Sequence, residues 1–164
     1  MLWSNRAPEE RALLNPAFSS LLIWHAATGH AAEGGIALPF VSSFLVLPVV
    51  LHRDTRESLP KIVTTSLPVW IDDNPILRDR LAERARTLVP YTREALLFGG
   101  VHGFFLVKGA TVRAEEKWQS KVNTELKSSS DEVRSCARKA EFLGRWFSKT
   151  GSPATVMALL GVRP

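Results

Sequence analysis

Four basic side chains in one stretch, Lys108, Arg113, Lys117 and Lys121, are the candidates for contacts to DNA phosphate, because Lys and Arg meet the backbone through charge without reading sequence. A second group, Arg138, Phe142, Arg145, Trp146 and Lys149, mixes aromatic and basic residues, with Phe142 and Trp146 one helical turn apart. Such a mixture suits the hot spot of a partner interface; the alternative is that Trp146 packs on the domain's own helices. The other chemistry-bearing residues do not assemble into a catalytic set. There is no Gly-rich phosphate loop and no serine elbow, and the paired acids Asp72-Asp73 and Glu115-Glu116 sit in polar, solvated surroundings. His25 and His30, five residues apart, fall on different faces of a helix and read as structural. Cys136, the single cysteine, lies on an apolar helical face and excludes an intramolecular disulfide and a Cys-rich zinc site. The expectation is therefore a non-enzyme with no catalytic residue, cofactor or metal ligand.

Helices must position these groups. Asn15 caps a helix that starts at Pro16, runs through the apolar "AFSSLLIWHAAT" and stops at Gly29, placing it at the centre of the core. Leu38 to His52 reads as helical with a kink or break at Pro48, after which "HRDTRESLP" returns to solvent. Asn74-Pro75 starts a third helix, whose arginines Arg78, Arg84 and Arg86 alternate with Asp79 and Glu83 as a salt-laced exposed face, and Pro90 starts a fourth that ends at Gly99-Gly100. Phe104 to Val107 and Ala110 to Arg113 are rich in aromatic and β-branched residues and flank a Lys108-Gly109 turn, the signature of a hairpin. Glu116 to Ser130 is polar and weakly periodic, as in a surface linker. Ser129, with Glu132 three residues on, then caps a helix with the core stripe Val133, Cys136, Ala140, Leu143 and Phe147; Ser152-Pro153 opens a last short helix. The class predicted is mainly α, a compact helical domain with one β-hairpin, winged-helix-like. It divides into a helical core (1–102), a hairpin wing (103–115), a polar linker (116–129) and a C-terminal helical pair (130–164). Because the helix before the wing is largely apolar, "EALLFGG", it fits burial against the core or a partner better than reading base edges.

Net charge is +5, and all of the excess falls after residue 102, compatible with nucleic acid or an acidic protein surface. The uncharged run from Gly34 to His52 approaches the length of a membrane span, but Pro39, Pro48 and the central Ser42-Ser43 disfavour that. Early charges at Glu9, Glu10 and Arg11 disfavour a signal peptide, so a cytoplasmic protein without membrane contact is expected.

Four stretches carry a resemblance: "NPAFSSLLIWHAATGH", "FLVLPVVLHRDTRESLP", "RARTLVPYTREALLFGG" followed by "FFLVKG", and "ARKAEFLGRWFSKTGSPATVMALLGVRP". Together they resemble the middle component of three-component ABC-ATPase systems, the group that includes Lamassu-type bacterial anti-phage defence. The resemblance implies a non-catalytic adaptor. Its partners would be an SMC-like or RecF-like ABC ATPase and an effector, a nuclease or other hydrolase, with non-specific duplex DNA touched as part of the complex. It supplies no catalytic residues. The competing reading from the residues is a stand-alone winged-helix DNA-binding regulator.

Overall fold

The computed structural model describes residues 3–163, so Met1, Leu2 and Pro164, at the ends of the predicted division, lie outside it. The chain is mainly helical with one small antiparallel sheet. Its helices are α1 (Pro8–Leu13), α2 (Pro16–Gly34), α3 (Ser43–Val50), α4 (Arg53–Ser58), α5 (Leu67–Asp73), α6 (Pro75–Val101), α7 (Gln119–Lys127), α8 (Asp131–Thr150) and α9 (Pro153–Leu160). The strands are β1 (Leu38–Pro39), β2 (Phe105–Lys108) and β3 (Thr111–Ala114), in the order β1-β3-β2.

The central helix is where the sequence places it. The Asn15 side chain accepts a hydrogen bond from the Ala17 N–H at 2.8 Å, and Pro16 occupies the first turn, where no N–H is missed. Leu22, Ile23, Trp24, Ala26 and Ala27 are all buried, so α2 is packed on every side through its middle. It does not stop at Gly29. The helix continues to Gly34 and ends at Gly35, whose φ of +71° is the left-handed cap. Gly29 serves instead the crossing with α8: a Cβ there would fall within the radius of the Glu141 carbonyl oxygen, and one at Gly144 would strike the Ala26 carbonyl. Paired glycines thus let two backbones meet without intervening side chains.

Helix α8 packs one face on α2, burying Cys136, Ala137, Ala140, Leu143, Gly144, Trp146 and Phe147. The predicted C-terminal pair is therefore part of the core rather than an appendage to it. Its cap is Ser130, one residue beyond the predicted Ser129, accepting from the Val133 N–H at 3.2 Å.

Pro90 starts no helix. It lies inside α6, which runs unbroken from Pro75 through Gly99 and Gly100 to Val101. The missing proline N–H removes one bond from a helix this long, and packing against α2 and α3 holds both halves in line. Gly99 is buried because the ring of Phe105 occupies the space of its absent side chain. Asn74 does precede the helix, but its amide donates backwards to the Trp70 carbonyl of α5 at 2.9 Å instead of capping α6.

Between α2 and α6 the chain is less regular than predicted. Leu38-Pro39 is a strand on β3, with Leu38 opposite Val112, and only Ser43–Val50 is α-helical. Pro48 sits within that helix, buried among Leu45, Val46, Leu47, Val49 and Val50. The segment "HRDTRESLP" does not return wholly to solvent: it forms α4, with Thr55 and Arg56 buried. Arg56 donates to the Val50 carbonyl at 2.8 Å and to Glu132 of α8 at 2.5 Å.

The hairpin is present with its turn displaced by one residue. Lys108 pairs with Thr111, so the two turn residues are Gly109 and Ala110, and Gly109 takes the positive φ of +58°. The predicted polar linker is also helical: Glu116–Trp118 is a 3-10 turn leading into α7, anchored by Val122 and by half-buried Trp118 and Leu126. A short amphipathic helix with one buried valine per few turns carries too weak a periodicity to be distinguished from loop by pattern.

Candidate interaction surface

Register determines which hairpin side chains face outward. Leu106 lies opposite Arg113 and Lys108 opposite Thr111, so these four share one face, all exposed, while Phe105 and Val112 point to the core. Arg113 lies 3.8 Å from Glu115 in a loose surface ion pair. Lys117 and Lys121 belong to a different feature at the hairpin's base. There Trp118 donates its indole N–H to the Gly103 carbonyl at 2.7 Å and meets Phe104 edge-on at 4.8 Å, with the Lys121 ammonium 5.6 Å above its ring. The aromatic row continues from Phe104 to Phe98, whose ring stacks on exposed His102 at 4.0 Å. The four candidate phosphate contacts thus divide into a pair on the wing and a pair bordering an aromatic step.

The α8 group divides more sharply. Trp146 is buried, 2% exposed, with its N–H donated to the Thr65 carbonyl at 2.6 Å and its ring edge-on to Trp70 at 6.0 Å. It packs on the domain's own helices, so a role as an interface residue is corrected: an indole with a satisfied N–H on an amphipathic helix goes inward. Phe142 is half-buried beside it, with the Lys139 ammonium 5.8 Å from its ring. Arg145 and Lys149 are drawn to Glu33 of α2, at 3.1 and 3.3 Å, and their hydrogen bonds, that of Arg145 foremost, hold the Glu33 carboxyl below its ordinary range. Arg138 remains exposed.

The two histidines of α2 are built into the core. His30 lies 3.0 Å from the Ile36 carbonyl through Nδ1. His25 is buried with its ring edge-on to Trp24 at 5.0 Å, its Nε2 has no hydrogen-bond partner, and burial pushes its pKa down to about 4. Burial likewise pushes the Cys136 thiol up, the direction of an unreactive cysteine. Among the described residues, no group of three His, Cys, Asp or Glu is arranged to hold a metal ion, and no helix is long and apolar enough to cross a membrane.

A third surface was not singled out from the sequence. Because α6 is continuous, Arg86, Val89, Arg93, Leu97 and Val101 recur every three or four residues and lie along one face. Leu97 is 69% and Val101 74% exposed, among the most exposed large apolar side chains of the chain. The segment "EALLFGG" is thus only half inward: Ala95, Leu96 and Gly99 face the core. Dividing the helix at Pro90 hides this stripe, since it assigns its two ends to different elements.

The family model for the ABC-three component (ABC-3C) system Middle Component 3 matches residues 3–164. The chain belongs to that family. No curated protein and no solved structure gives a significant match. A middle component works within a multi-component system, so protein partners are implied, and the exposed side chains of this middle component acquire a context. For one of its faces to bind, that face must be free in the isolated subunit. The α6 stripe meets this requirement; the buried Trp146 does not.

Proposed function

We propose that this middle component is a non-catalytic adaptor joining the SMC-like or RecF-like ABC ATPase of its system to an effector, in a Lamassu-type anti-phage complex in the cytoplasm. The observation that carries the reading is the exposure of Leu97 and Val101 on the helix that precedes the hairpin. Base edges require donors and acceptors at that place, and leucine and valine offer neither; adjacent exposed apolar side chains suit a protein surface. The strand order β1-β3-β2, with β1 between α2 and α3 and the hairpin directly after α6, supports a winged-helix-type arrangement turned to protein contact. A second reading, DNA binding, is favoured by Lys108, Arg113, Lys117 and Lys121, all exposed. In the adaptor these would add weak, sequence-independent phosphate contacts within the complex.

Co-expression with the ATPase and effector subunits tests the adaptor. Leu97→Asp with Val101→Asp should abolish co-elution while shifting the isolated subunit's stability by no more than about 0.5 kcal/mol, as for exposed positions generally. Undiminished assembly by that variant removes the observation on which the reading rests. Nanomolar, sequence-selective DNA binding by the subunit alone would favour the regulator instead.

A further inference from the structure

The α6 stripe leads, towards the helix N-terminus, into a cleft of about 200 Å³ between α3, α6 and the segment after α9. Its apolar lining includes Phe44, Val89, Met157 and Val162. Three arginines, Arg86, Arg93 and Arg163, line the same cleft and are exposed, which places them at its rim. Several arginines elsewhere are held by carboxylates, Arg6 by Glu94, Arg53 by Glu57, Arg56 by Glu132, Arg134 by Asp131 and Arg145 by Glu33, and the exposed Arg80 and Arg138, which are not, line no part of this cleft. The three at the cleft have no ion pair or side-chain hydrogen bond among the described residues. Gathering three unpaired cations about one apolar recess does nothing for the stability of the isolated domain, since like charges repel.

Resting on the adaptor reading, we propose that this cleft receives an acidic amphipathic helix from a partner subunit, which inserts an apolar side chain into the recess and sets carboxylates against Arg86, Arg93 and Arg163. Guanidinium forks match carboxylates in bidentate geometry, and the apolar floor supplies the burial that fixes register. Duplex DNA would satisfy the arginines but leave Phe44, Val89 and Val162 against water, so the chemistry of the whole site favours a peptide. Helical spacing on α6 also makes the cleft continuous with Leu97 and Val101, giving a long partner helix one track to follow.

The test uses the full chain with the purified ATPase and effector subunits of its own system, and a labelled duplex as a separate probe. Arg86→Glu with Arg93→Glu and Arg163→Glu should weaken the Kd for one subunit at least ~100-fold, because like charges then face each other across the contact. Melting should be unchanged, and reversing the opposing acids on that subunit should restore binding. Should the charge reversal disturb folding, the triple Arg→Gln variant is measured in its place and should lose at least ~10-fold. Wild-type affinity in a folded triple variant overturns the proposal and leaves the adaptor reading standing. Loss of duplex binding with subunit affinity unchanged assigns the arginines to phosphate and overturns it too. If the wild-type chain binds neither subunit, the adaptor reading fails and the cleft proposal with it.

Discussion

Acid should destabilise this protein through one buried imidazole before it protonates most carboxylates. His25 is 4% exposed, and burial lowers its pKa from 6.5 to about 4, with no charged partner contributing to the shift. A histidine whose pKa is depressed by folding binds its proton more tightly in the unfolded chain, so stability is complete above the unfolded pKa and falls as pH drops from about 6.5 towards 4. Converting the shift at 1.36 kcal/mol per pKa unit gives about 3 kcal/mol over the whole interval, of which about 2 kcal/mol is lost between pH 7 and pH 4.5. For a domain of this size that is a considerable fraction of the total stability.

The assay is urea unfolding at those two pH values for wild type and His25→Phe. Phenylalanine keeps a ring against Trp24, removes the unpartnered Nε2 and cannot titrate. His52 titrates in the same window, its pKa lowered by burial and then by the Arg84 charge, whereas Glu33 and Glu57, held below the ordinary carboxylate range by hydrogen bonds from Arg145 and Arg53, begin to cost stability only at the acid end of it. Those effects are common to both proteins, so the quantity to read is the difference between them. His25→Phe should lose about 2 kcal/mol less than wild type on passing from pH 7 to pH 4.5. Equal losses in the two proteins, within about 0.5 kcal/mol, would refute the assignment of this acid sensitivity to His25.

Gly29→Ala and Gly144→Ala should each lower stability by at least ~2 kcal/mol in thermal or urea melts, because the new methyl meets a backbone carbonyl of the opposing helix that cannot move aside. Trp146→Ala should cost about 3 to 5 kcal/mol and precipitate or melt the subunit; a stable variant that only loses its partners would restore Trp146 as an interface residue. Glu132→Ala should cost about 1 to 2 kcal/mol, less than for a fully buried pair, since Glu132 is 65% exposed while Arg56 is 2% exposed. Arg56→Met, which removes the buried cation with its partner's demand, should cost no more than Glu132→Ala in the same denaturant series.

Local rules at helix starts were readable from the sequence because they act over two or three residues. Asn15-Pro16, Ser152-Pro153 and the glycine after α9 all stand where their types require, and Gly161 takes the left-handed φ of +71°. What failed were residues whose roles are set by something distant in sequence. Gly29 has the composition of a stop signal, but its purpose is α8, more than a hundred residues on. Pro90 has the composition of a start signal, yet tertiary packing carries α6 through it. Leu38-Pro39 becomes a strand only because Val112 and Thr111 arrive beside it.

The same division governs which surface residues could be found. Sequence identifies charge, and the exposed lysines of the wing and α7 lie where charge alone would place them. It cannot say which charges are already answered. Arg145 and Lys149 look available until Glu33 is placed between them, whereas Arg86 looks like a member of a salt-laced face until no carboxylate is found beside it. An unanswered charge is informative only next to surface that is also unfilled, and the fold brings those two conditions together along α6. The face that pattern alone splits between a salt-laced helix and a buried apolar one thus carries both unpaired cations and exposed apolar neighbours, the composition that the proposed partner contact calls for.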